Sequence, residues 1–138
     1  MTSPIPGFGG RREAREEALA ILYEVESTGA TVADTLAARR VEVSPYAASL
    51  ASGVDEQQAE IDELIRRNLT GWRLERMAVV DRILVRIGAW ELCHADDVPT
   101  GVALSEAVEL ATQYSGEDSP KFVNGLLRAV ANEVRGPE

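Results

Sequence analysis

The chain has 138 residues, 45% of them apolar but only 5% aromatic, and a formal net charge of −9 from 14 basic and 23 acidic residues. That length can bury about two-thirds of its unfolded surface, so one aliphatic core suffices without a disulfide or metal staple. The acidic balance excludes a general nucleic-acid binder, which needs abundant Lys and Arg. The single cysteine, Cys93, excludes an internal disulfide and suits a reducing compartment.

Residues 1–10, MTSPIPGFGG, read as a flexible tail rich in Pro and Gly, without the basic-then-apolar order of a secretory signal. Ala14, Ala18, Leu19, Leu22 and Val25 then recur at helical spacing and predict a first helix over 11–27, ended by Thr28-Gly29. Thr31 caps a short second helix over 31–39. Ser44-Pro45 opens a long third one, with Leu50, Val54, Ile61, Leu64, Ile65 and Leu69 as its stripe and Gly53 marking close packing or a bend. A short turn or helix follows at 72–76.

Val80, Ile83, Leu84, Ile87 and Trp90 predict a fourth substantial helix over 78–93. The loop Asp96–Pro99 leads into a fifth, with Val102, Leu104, Ala107, Val108 and Ala111 inward. The last helix is EDSPKFVNGLLRAV, residues 117–130: Ser119 caps it, Pro120 suits its first position, and Phe122, Val123, Leu126, Leu127 and Val130 form its stripe. No strand pattern competes, so the expected class is all-α, with residues 11–138 as one domain of about six to seven helices. No apolar run reaches the length that spans a bilayer.

Catalytic chemistry finds little footing. His94 is the lone histidine, at a helix end, and with Cys93 it lacks the further ligands of a zinc site. No Gly-rich phosphate loop is present. Neither an enzyme, nor a cofactor, nor a metal is expected.

Two stretches point to an anion instead. Arg11, Arg12 and Arg15 sit in the first turns of a helix, where positive charge opposes the macrodipole by about 0.3–1 kcal/mol each. A local cost without a local return suits an external anion, although three exposed arginines on a solvated helix are common. Lys121, the only lysine, lies at another helix start, where free N–H groups attract phosphate. Phe122 has two readings, a core ring or a partly exposed one that stacks on an unpaired base. Asp118 and Ser119 are either caps or partners for base edges. Asn124 and Gly125 are poor helix formers with no local reason to be there.

These segments resemble the NusB family of bacterial transcription antitermination factors. RREAREEALAILY (11–23), VDRILVRIGAWEL (80–92), VPTGVALSEAVELA (98–111) and EDSPKFVNGLLRAV (117–130) carry the match, in order and spacing, over nearly the whole chain after residue 10. The resemblance implies two packed helical subdomains and a cytoplasmic, non-catalytic protein. It would bind boxA RNA of ribosomal RNA operon leaders together with NusE, a small-subunit ribosomal protein, within an RNA polymerase antitermination complex. Carried over by motif, Arg11, Arg12 and Arg15 approach the RNA backbone, and Asp118, Ser119, Lys121, Phe122 and Asn124 line the RNA site. Tyr23, Asp81 and Arg86 fall where the family meets NusE or flanks the shared surface.

The chain departs from the family pattern at several points. Ser105 stands where many members have Asn, Asp81 where Glu is common, and Glu13, Thr112 and Gln113 where positive charge is frequent. Weaker binding of RNA alone, with more reliance on NusE, is the expected result. Two rivals remain: an RNA-binding module like those of ribosomal RNA methyltransferases, and a helical interaction protein that forms a homodimer and covers its arginines.

Overall fold

The computed structural model describes residues 9–70 and 73–136. The tail expected at 1–10 and the turn at 72–76 therefore fall partly outside the described residues. Seven α-helices and one 3-10 turn account for the regular structure of the described residues, and none of them forms a strand. They are α1 (Gly9–Thr28), α2 (Val32–Ala37), α3 (Pro45–Glu56), α4 (Gln58–Asn68), the 3-10 turn Leu74–Arg76, α5 (Val79–His94), α6 (Thr100–Tyr114) and α7 (Ser119–Arg135).

The ends follow local chemistry. Thr31 Oγ1 accepts the Asp34 N–H at 2.9 Å, and Ser44 Oγ accepts that of Ala47 at 3.2 Å, with Pro45 as the first helical residue of α3. Gly29 stops α1 at φ 77°, its N–H donating to Val25 O at 2.9 Å. The last carbonyls of α5 have an unusual partner. The Arg135 guanidinium, from the end of α7, donates to the carbonyls of Glu91, Leu92, Ala95 and Val98 at 2.7–3.2 Å.

Helices α1, α2 and α3 pack on one another, as do α5, α6 and α7, while α4 lies on α5 and α7. Helix α5 joins the two groups, touching α1 and α3 on one side and α6 and α7 on the other. Its buried residues run from Ile83 to Leu92 without a solvated stripe, as befits a central helix. The buried apolar side chains form one continuous cluster through both groups.

The predicted third helix is two helices. The chain turns at Gln57 (φ −114°, ψ 22°), whose side-chain carbonyl accepts the Trp90 indole N–H at 2.8 Å. Trp90 lies against the bare Cα of Gly53, where a Cβ would overlap the indole ring. Gly53 thus marks close packing, and the bend follows four residues later. The apolar stripe crosses the break in phase because Val54 and Ile61 are seven residues apart, so periodicity alone reads one helix.

Candidate nucleic-acid interface

The three arginines of α1 meet three different fates. Arg15 is 1% exposed and reaches α5, its Nε lying 3.1 and 2.9 Å from the two carboxylate oxygens of Glu91. Its position explains this: Ala18, Leu19 and Leu22 follow at i+3, i+4 and i+7, so Arg15 lies on the apolar stripe. Glu91 sits on the stripe of α5 in the same way, after Leu84 and Ile87. Tyr46 on α3 completes the cluster by donating its hydroxyl to Glu91 Oε2. Burial first, and then the charge of Glu91, push the Tyr46 hydroxyl well above the usual tyrosine range.

Arg12 forms a two-pronged pair with Glu106 of α6, and Arg15 Nη1 lies 3.5 Å from the same carboxylate. Arg11 stacks over the Tyr46 ring, 4.1 Å from its centroid, and pairs with Asp97 at 2.9 Å. The cost of positive charge at the start of α1 is therefore returned inside the molecule, by Glu91, Glu106 and Asp97. Arg15 holds α1 against α5 and is closed to a phosphate, whereas Arg12 keeps about half of its side chain in solvent.

The turn before α7 is built around Asp81. Ser115 Oγ donates to Asp81 Oδ1 at 2.6 Å, Ser119 Oγ donates to Oδ2 at 2.8 Å, and the two hydroxyls are 3.0 Å apart. Ser119 is consequently not the cap expected of it. It is the first residue of α7, buried, and its hydroxyl is spent on α5. Asp118 holds the cap position without a side-chain cap bond and stays exposed.

Phe122 combines both of its readings: it packs on the core yet is half-buried. Together with Arg76, Met77, Ala78, Asp81, Asp118 and Ser119 it lines a pocket of about 380 Å³. Asn124 lies on the opposite flank of α7. It shares a groove of about 750 Å³ between α6 and α7 with Arg12, Leu104, Ser105, Val108 and Arg128. Lys121 is exposed between the two depressions. Five of the eight predicted RNA residues thus line two depressions on either side of α7, Asp118, Ser119 and Phe122 one of them and Arg12 and Asn124 the other, while Arg11, Arg15 and Lys121 line neither.

Of the predicted partner residues, Tyr23 is 48% exposed on α1. Arg86 is buried in a two-pronged pair with Asp62 of α4, at 2.8 and 3.0 Å, and lies 3.5 Å from Glu26. Asp81 and Arg86 are thus both buried and spend their charges inside the molecule. Sequence reasoning missed Tyr46, Glu91, Glu106 and Ser115, together with Arg76 and Arg128 at the two depressions. An acid or an arginine on an apolar stripe was the signal available for Glu91 and Arg15.

Burial pushes the Cys93 thiol up, away from an activated nucleophile. No group of three or more His, Cys, Asp or Glu among the described residues could hold a metal ion, and no helix among them is long and apolar enough to cross a membrane.

An all-helical scaffold that surrounds an aromatic pocket with cations and acids belongs to the class of small helical binding proteins. Within that class the chain belongs to the NusB family, whose sequence model matches residues 12–132. It is 50% identical over 124 residues to the transcription antitermination protein NusB of Pseudarthrobacter chlorophenolicus, an alignment covering 87% of this chain and 91% of the relative. Among solved structures, T. maritima NusB superposes with a TM-score of 0.83 at 32% identity, over 96% of this chain and 94% of the other. A NusB chain solved with NusE and double-stranded RNA gives 0.77 at 26% identity, over 89% and 96%.

Proposed function

We propose that this chain is a cytoplasmic transcription antitermination factor. It binds boxA RNA of ribosomal RNA operon leaders jointly with NusE and tethers that RNA to RNA polymerase. The observation that carries this reading is the match, over 89% of the chain, to NusB in its complex with NusE and RNA. Residues 11–138 act as one domain, and its work is binding rather than catalysis.

In this reading each residue has a part. An unpaired base enters the pocket beside Phe122, where the ring offers a stacking face and Asp118 an acceptor for a base edge. Lys121 draws the adjacent phosphate. Arg12, half in solvent, adds sequence-independent attraction once it loosens from Glu106, and Arg11 supports the same end of α1. Asn124 serves the groove on the other flank. Arg15, Asp81, Ser119 and Arg86 act as positioning residues. Tyr23 offers the exposed ring for NusE. Tethering raises the effective concentration of the RNA at the polymerase and needs no chemical step.

The test is boxA binding by the copurified NusE complex, with Lys121→Ala, Phe122→Ala and Arg12→Ala. Phe122→Ala should cost a stacking contact, about 1–3 kcal/mol, and Lys121→Ala should flatten the salt dependence. Unchanged affinity in all three variants would place the RNA elsewhere.

A further inference from the structure

Gly125 raises a question that packing does not answer. It is exposed in the interior of α7, and a Cβ built there meets nothing within 4 Å. It does not admit a neighbouring helix: the close approach to α7 is made at Gly88 of α5, where a Cβ would lie 2.6 Å from Leu127 Cδ1. Gly125 thus carries the helix penalty of glycine with no return inside the molecule.

Its surroundings are unusual for this chain. The protein has 23 acidic residues, yet residues 119–132 contain none. The same stretch contains Lys121 and Arg128, four residues before and three after Gly125, so both flank it on the helix surface. Both are exposed. Neither has an ion-pair partner among the described residues, whereas Arg11, Arg12, Arg15, Arg66, Arg67 and Arg86 are each held by an acid. Two unpaired cations on this acid-free stretch of α7 are complementary to a polyanion, and the one acid lining the adjoining groove is Glu109 of α6. They stand about 10 Å apart along the axis, the rise of about three stacked nucleotides.

We infer that the RNA strand does not stop at the Phe122 pocket but continues along the exposed face of α7. Lys121 and Arg128 neutralise phosphates there, and the bare Cα of Gly125 lets a sugar lie directly on the helix between them. Beyond Gly125 the strand reaches the α6–α7 groove, whose apolar floor of Leu104 and Val108 offers a base surface and whose Asn124 and Asn132 offer amides to base edges. This path rests on the RNA-binding reading and extends it to Gly125, Arg128 and Asn132.

The test uses the full chain copurified with NusE and a boxA oligonucleotide, with affinity measured against salt concentration. Arg128→Gln should weaken binding several-fold and reduce the slope of log K against log salt by about 0.7, the share of one phosphate on a single strand. Gly125→Ala separates helix stability from binding. It should raise the melting temperature by about 3 °C while weakening RNA binding about tenfold. If both variants bind as the wild type does while Lys121→Ala weakens, the α7 path is wrong and the Phe122 pocket stands. If the wild-type complex fails to hold boxA RNA, the functional reading fails and the path with it. If the two substitutions reduce NusE copurification at unchanged RNA affinity, the face belongs to a protein partner and the inference is overturned.

Discussion

Arg15 and Glu91 are each 1% exposed and meet across α1 and α5 with Nε–Oε2 at 2.9 Å. A charge pair this deep is costly to break, because removing one partner strands the other. Arg15→Ala should therefore destabilise the fold by about 3–5 kcal/mol, and the double change Arg15→Met with Glu91→Leu by much less. Denaturant unfolding of the three proteins measures the difference. In RNA binding, the double variant should keep the wild-type salt slope, since Arg15 neutralises no phosphate. A shallower slope would return Arg15 to the RNA.

Tyr46 gives the same cluster a pH signature. Burial and the nearby Glu91 carboxylate hold its hydroxyl protonated above the ordinary value of 10.0. Its folded pKa is raised, so the folded state retains this proton more tightly than the unfolded chain does. The corresponding stability is complete below about pH 10 and is lost as the pH rises toward the folded pKa. Tyrosinate absorbance during an alkaline titration, compared with Tyr46→Phe, should show that the last tyrosine to ionise is the one missing from the variant, after Tyr114, which its bond to Glu16 also shifts upward. Glu91→Gln should bring that ionisation to lower pH.

Asp81 collects two serine hydroxyls, and its loss should be felt at Phe122. Ser119→Ala removes one of the two bonds and should cost about 1 kcal/mol of stability. Asp81→Ala removes both and should also weaken RNA binding, by letting the start of α7 and the Phe122 pocket shift. Chemical shifts of residues 115–122 follow the turn directly. An undisturbed turn in Asp81→Ala would deny this carboxylate its positioning role.

The helices were legible because the stripes of α1, α5, α6 and α7 are long and in phase. The break at Gln57 was not, since seven residues between Val54 and Ile61 preserve the phase through a bend. Two glycines show the limit sharply. Gly53 and Gly125 both lie within helical stretches, and only their neighbours in space distinguish them: one faces an indole, the other solvent. The aromatic pocket was readable in outline from Asp118, Ser119 and Phe122. Arg76 and Arg128 were not, because their relevance depends on which acids lie within reach. The burial of Arg15 was hidden for the same reason, as its partner is 76 residues away.

Arg135 is the residue whose importance the sequence conceals best. From the last turn of α7 it donates to four carbonyls at the end of α5 and in the loop that follows, and to Thr100 Oγ1 at 3.1 Å. Carbonyls left free at a helix end need such donors. The planar guanidinium serves several at once, which an ammonium cannot do in the same geometry. Arg135→Lys should therefore recover little of the stability lost in Arg135→Ala, a loss of about 3 kcal/mol. The same bonds fix the loop leading to α6, the helix that carries Glu106 and one wall of the Asn124 groove. Hydrogen exchange should quicken around residues 94–100 in both variants, ahead of global unfolding. Equal protection in Arg135→Lys and the wild type would show that charge alone, rather than the guanidinium fork, holds that end of the molecule.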